Sequence, residues 1–327
     1  MDGVLKVGGR EFDPEPVMWE LVRKRALFIA TVVAGAVCWT AALRWLSAAD
    51  GSTGLSLTTA RIGFVGGVIV AALAGLPALA LGVAASATGG RLSGVMAVAM
   101  GLMFAGGVAG PIDGWVYHQP DTLPGRYIGL MAELLFWQGG VLAMLLVIQK
   151  LRDPMHARWP ALAYEDHLEV ELAVRRPQAA TWGSAGLCAL IGGVLAYWLV
   201  RDSDGGQVAG GLFISFLAAA LITQMLMPKV PATGALFAPA IVGLFAYGYV
   251  MYRYDTSQAF LAAWYNVSRQ SNAANLPGPA LALPVHYASA GLLGVAAGLA
   301  WARTMISQQS AEEAGVEDVA SEPNELT

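Results

Sequence analysis

Glu133 and His286 are the two ionisable side chains placed within long apolar runs. A charge at membrane depth is expensive and marks a functional candidate. A carboxylate and an imidazole could together bind a cation or relay a proton, because imidazole titrates near neutrality and a neighbouring carboxylate favours its charged form. The interval between them equals the interval between Leu123-Pro124-Gly125 and Leu276-Pro277-Gly278. Each residue is therefore expected about two turns into its apolar run, roughly 10 Å below the boundary. Gln138 and Gln224 could extend a polar path between them or fasten neighbouring helices together. The competing role for all four is that of hydrogen-bonded packing residues.

A second candidate set lies in two outward loops, 113–126 and 253–278. Asp113, Trp115, His118, Asp121 and Arg126 fall in the first, and Asp255 and Trp264 in the second. Long loops above a helical bundle often build binding surfaces, although a belt of aromatic residues at the interface gives the same composition. Asn266-Val267-Ser268 is a glycosylation sequon.

Other chemistries lack their residues. The chain has no HExxH, Walker A loop, GxSxG elbow, glycine-rich dinucleotide fingerprint or CxxCH. No catalytic motif, cofactor or metal site is therefore expected. The two cysteines, Cys38 and Cys188, lie in apolar runs and form no metal-ligand cluster. Among the four histidines only His118 and His286 could approach a haem, and both lie towards one side. A net charge of -4 argues against a nucleic-acid partner, which normally requires a basic face.

These residues must be positioned by a chain that is 56% apolar and 13% charged, with a mean hydropathy of +0.56. Soluble domains carry about 25% charged residues. The apolar residues gather into eight runs at about 26–46, 62–87, 92–112, 127–149, 181–200, 207–228, 232–252 and 280–304, each near the length that crosses a bilayer core. The first has no nearby small-residue cleavage site and reads as a retained anchor. Thirteen of the 19 lysines and arginines fall on the side of both termini, which predicts cytoplasmic termini in a plasma, or bacterial inner, membrane. The acidic stretch from Glu312 to Glu325 has no basic residue and reads as a disordered tail. Gly63 and Gly67, Gly106 and Gly110, Gly206 and Gly210, and Gly294 and Gly298 are small-residue pairs of the kind that let helices approach closely. Pro77, Pro111, Pro228 and Pro239 should bend or end their helices.

The chain also resembles itself. Arg44-Trp45-Leu46 corresponds to Tyr197-Trp198-Leu199, each followed by a small acidic turn, and the Leu-Pro-Gly motif recurs in the same order. Four spans return the chain to its starting side, so such halves must lie parallel. The expected architecture is an all-α membrane protein of eight transmembrane helices in two parallel four-helix repeats. It divides into a juxtamembrane segment (1–25), a first repeat (26–150), a cytoplasmic connector (151–180), a second repeat (181–305) and a tail (306–327). Glu20 to Lys24 and Glu171 to Arg176 suit short interfacial helices that could touch anionic lipid. The lipid bilayer is the one partner the composition requires, and no nucleic acid or specific protein is indicated. The duplication and the polarity at depth point to a transporter or channel-like protein for a small polar or ionic solute. A non-catalytic membrane scaffold or assembly partner, binding proteins or lipids, is the alternative.

Overall fold

A computed structural model describes residues 5–7, 10–12, 14–47, 55–89, 91–108, 112–117, 124–158, 179–270 and 278–321. Apart from a small antiparallel hairpin of β1 (Leu5–Val7) and β2 (Arg10–Phe12), the described chain is helical. The helices are α1 (Pro14–Leu46), α2 (Gly63–Gly89), α3 (Arg91–Val108), α4 (Ile112–Tyr117), α5 (Pro124–Arg158), α6 (Ala179–Leu199), α7 (Gly205–Leu226), α8 (Ala238–Arg253), α9 (Ser257–Gln270), α10 (Pro284–His286) and α11 (Leu292–Ser321). Seven segments are long and apolar enough to cross a membrane: the apolar parts of α1 and α5, helices α2, α6 and α7, the segment 232–253 ending in α8, and the segment 284–308 through α10 and α11. The protein is thus a polytopic membrane protein. The remaining apolar run, read at 92–112, forms α3, whose apolar part, Ser93–Gly107, is shorter than the other seven.

Backbone groups in hydrocarbon must be satisfied within the protein, which forces these apolar runs into helices. Their apolar surface is divided between the interior and the lipid. Ile69, Leu73 and Leu76 of α2 are exposed, whereas the run from Gly278 through Ala296 is buried almost throughout. The last span is therefore the central one, packed on α7 and reached by α3, α5 and α8.

Several local expectations need correction. Glu20 to Lys24 do not form a separate interfacial helix but belong to α1, since no glycine or proline interrupts the chain between Met18 and the apolar run. Residues 171–176 lie outside the described residues. The acidic tail does not leave the helix at residue 306, because α11 continues through Ser321 over an alanine- and glutamate-rich stretch with no proline. Of the glycine pairs, among the described residues, only Gly294 and Gly298 make a close helix crossing: a Cβ at either would strike the α7 backbone, at Phe213 O and Leu217 O. Gly63 has φ +75° and serves the turn into α2, while a Cβ on Gly210 would meet nothing within 4 Å. Gly106 packs on the His286 ring, and Gly110 lies outside the described residues. An unpaired glycine on each helix makes another crossing, where Gly101 of α3 lies against the backbone of Gly35 and Ala36 in α1.

Pro228 and Pro239 stand at helix boundaries, whereas Pro77 does not end its helix. Pro239 occupies the first turn of α8, where its missing N–H costs little. Pro228 follows the end of α7, and Pro77 lies inside α2. Pro111 lies outside the described residues.

Candidate functional site

Glu133 is completely buried on α5, more than two turns past Pro124. Its carboxylate holds a piece of irregular backbone. Ser56 Oγ donates to Oε2 at 2.7 Å, the Thr58 N–H lies 3.4 Å from the same oxygen, and Trp137 Nε1 donates to Oε1 at 3.1 Å from one turn further along α5. The Leu57 N–H adds another backbone donor. The surrounding segment, Leu55 to Leu57, is wholly buried although it lies in the connection between α1 and α2. Irregular backbone at such depth is tolerated only when its polar groups find protein partners, and Glu133 supplies them.

The hydrogen bonds run in one direction. Ser56 gives its proton to Glu133, so the Ser56 oxygen accepts from the Thr58 hydroxyl at 2.8 Å, and the Thr58 oxygen in turn accepts from Trp115 Nε1 at 3.0 Å. This chain joins α5, the α1–α2 connection and α4. It brings together Glu133 and Trp115, one from each of the two candidate sets.

His286 is used differently. It is the third residue of α10 and lies close to the helix start, not two turns inside a span. The Pro279 turn (Gly278–Leu281) and Pro284 fix a later start than the Leu-Pro-Gly spacing suggests. Its Nδ1 accepts the Leu283 N–H at 3.1 Å, which places the ring proton on Nε2, and Nε2 donates to Gly106 O of α3 at 3.0 Å. Both nitrogens are engaged. No hydrogen bond joins Glu133 to His286, the two share no partner, and neither lines the grooves described below.

The two glutamines fasten backbone. Gln138 Nε2 donates to Leu236 O, in the turn before α8, at 2.8 Å. Gln224 Nε2 donates to Pro228 O at 3.3 Å, where α7 ends. The buried Oε1 of Gln138 has no hydrogen-bond partner. Replacing Gln138 by Leu removes about one hydrogen bond of roughly 1 kcal/mol but also relieves that orphaned oxygen. The expected change in stability is therefore within about 1 kcal/mol of zero, measurable as the thermal midpoint of the purified protein; a loss of several kcal/mol would show that Gln138 does more.

At the face carrying α4 and α9, Trp115 and Tyr127 pack edge-to-face with centroids 5.6 Å apart, and Tyr127 meets Tyr247 at 5.6 Å and Phe260 at 6.3 Å. Tyr247 and Tyr287 pack at 6.1 Å, and their hydroxyls donate to Ala282 O and Pro279 O of the turn before α10. These rings are an internal column, not a belt facing lipid. Ser56, Thr58, Trp137, Tyr247 and Tyr287 escaped sequence reasoning, and only the polar Ser56, between Leu55 and Leu57, carried a signal. Arg126 and Asp255 are exposed. Asp113 lies in α4 and Trp264 in α9. His118 and Asp121 lie outside the described residues.

Two open grooves among the described residues are apolar. One, about 690 Å³, runs between α6 and α8; the other, about 550 Å³, lies along α8 and shares Phe245 and Tyr249 with it. Among the described residues no group of three histidine, cysteine or acidic side chains could hold a metal. Compared with protein-family models, curated proteins and solved structures, the chain matches none.

Proposed function

We propose that this protein is a rigid, non-enzymatic membrane scaffold, with a surface that holds other components of the bilayer. The observation that carries the reading is the use made of the polar residues at depth. Gln138 ties α5 to Leu236, and His286 ties α10 to the end of α3, so both staples join the first half of the chain to the second. Transport by rocking one half against the other would break these bonds in hydrocarbon, where freed polar groups find no water.

The finer architecture belongs to the same reading. Counting α3, the spans number eight, in two parallel four-helix halves. The packing of α5 on α8 and of α3 on α11 supports a twofold exchange between them. The distribution of lysine and arginine supports cytoplasmic termini in a plasma membrane.

Spin labels at Lys150 and Lys229, both exposed, test rigidity directly. With Cys38 and Cys188 replaced by Ala, pulsed electron spin resonance in proteoliposomes should give one narrow distance distribution, with or without an imposed ion gradient. Two populations whose ratio follows the gradient would return the reading to a transporter.

A further inference from the structure

We propose that the groove between α6 and α8 is a binding site for a zwitterionic phospholipid, with one acyl chain lying between the helices and the phosphate at Arg201. The site stands whether or not the two halves of the chain move.

Its shape comes from side-chain size. Gly186, Ala189 and Gly193 of α6 form a low floor, and Phe245 and Tyr249 of α8 rise beside it. Phe245 is 76% exposed and Leu190 66%, so the concavity opens to the lipid. Its volume lies in the range of small-ligand sites, roughly 300–1,000 Å³. Hydrocarbon is the solvent on that face, and an acyl chain conforms to a smooth apolar furrow without leaving a polar group unsatisfied.

The polar end fixes the choice of occupant. Trp198 closes the groove near the end of α6, and the guanidinium of the exposed Arg201 lies 5.4 Å from the Trp198 ring centroid. Arg201 Nε donates to Trp198 O at 2.8 Å, which holds the fork beside the groove mouth. A guanidinium so held suits a phosphate, which it can meet with two parallel hydrogen bonds. Asp202, exposed next to Arg201, disfavours a second negative charge and favours a headgroup carrying its own ammonium. Arg253 ends α8, one residue past Tyr252, which lines the second groove.

The test is native mass spectrometry of the full chain, stripped of lipid in detergent and titrated with phosphatidylethanolamine, phosphatidylglycerol or diacylglycerol of identical chains. The wild-type protein should retain one phosphatidylethanolamine in preference to the other two. Gly186→Leu fills the floor where a Cβ would meet nothing within 4 Å. It should keep the thermal midpoint of the lipid-free wild type and lower occupancy by about tenfold, whereas Arg201→Ala should lower it by a similar factor for phosphatidylethanolamine but leave diacylglycerol unchanged. Equal retention of phosphatidylethanolamine and diacylglycerol by the wild type, or unchanged occupancy in folded Gly186→Leu, would overturn the proposal. So would a dimer mass lost in Gly186→Leu, which would make a second copy of the chain the occupant.

Discussion

Replacing Glu133 by Ala should destabilise the protein by about 3 kcal/mol or more and loosen one segment in particular. The substitution leaves the Ser56 hydroxyl, the Trp137 N–H and the Leu57 N–H without their acceptor in a wholly buried setting, while the Thr58 N–H keeps the Ser56 oxygen at 3.3 Å. Each buried donor so abandoned costs about 1–3 kcal/mol. Part of that cost returns as the connection moves to find other partners, so the sum is an upper bound. Hydrogen exchange in a nanodisc distinguishes this role from a general loss of packing. Amides at 55–60 should exchange faster, while those of α6 and α7, which make no contact with the carboxylate network, keep their protection. Glu133→Gln should be milder, because the amide keeps one acceptor oxygen yet turns an NH₂ towards either Ser56 or Trp137. Unchanged exchange at 55–60 in Glu133→Ala would remove the carboxylate from its anchoring role.

Why a carboxylate stands here, and an imidazole at the position related by the same interval, follows from the connections they serve. The α6–α7 connection spans only 200–204. It is held by Asp204, whose side chain accepts the Gly206 and Gln207 N–H groups at the start of α7. The connection from α1 to α2 is longer and folds inward at Leu55 to Leu57. Its base is closed by Arg61 N–H donating to Ser47 O at 3.1 Å. The longer connection brings extra backbone donors to membrane depth, and Glu133 accepts them. On the other side no such segment enters, and His286 instead ties the start of α10 to α3.

Much of the architecture was legible in the sequence because hydropathy over about 20 residues is enforced by the bilayer itself. The runs read at 62–87, 181–200 and 207–228 agree with α2, α6 and α7 to within two residues at each end. Rarity of charge at depth singled out Glu133 and His286 in the sequence, and polarity within the spans singled out Gln138 and Gln224. What they do was not legible, since each role depends on a partner distant in the chain. Glu133 and Ser56 are far apart in sequence and meet only because α5 packs beside the α1–α2 connection. The last span misled in another way. Its approach is broken by Pro279 and Pro284 into a short turn, a brief helix and a π-helical turn at Tyr287–Gly291. Hydropathy alone sees one continuous apolar run there. The interior aromatic column was hidden for the same reason, because Tyr127, Tyr247 and Phe260 look individually like residues of an interfacial belt.

Gly294→Ala and Gly298→Ala should each destabilise the protein by about 1–3 kcal/mol, and together by more than either alone. Helix propensity argues for the opposite sign, since alanine gains roughly 0.5–1 kcal/mol over glycine inside a helix. The decisive term is the crossing with α7, where a methyl group would press on carbonyl oxygens of Phe213 and Leu217 that belong to the backbone and cannot swing aside. Relief requires α7 and α11 to separate along the most extensive helix contact among the described residues, and overpacking of this kind costs more than propensity returns. Gly210→Ala on α7 is the matched control. It carries the same propensity gain, belongs to a glycine pair of the same spacing, and adds a methyl group to open space. Its midpoint should stay unchanged or rise slightly. The comparison separates geometry from motif, because all three substitutions alter a residue of a GxxxG pair but only two place a Cβ against a neighbouring helix. Equal stability of Gly294→Ala and Gly210→Ala in a thermal melt would mean that α7 and α11 do not approach as closely as their glycines allow.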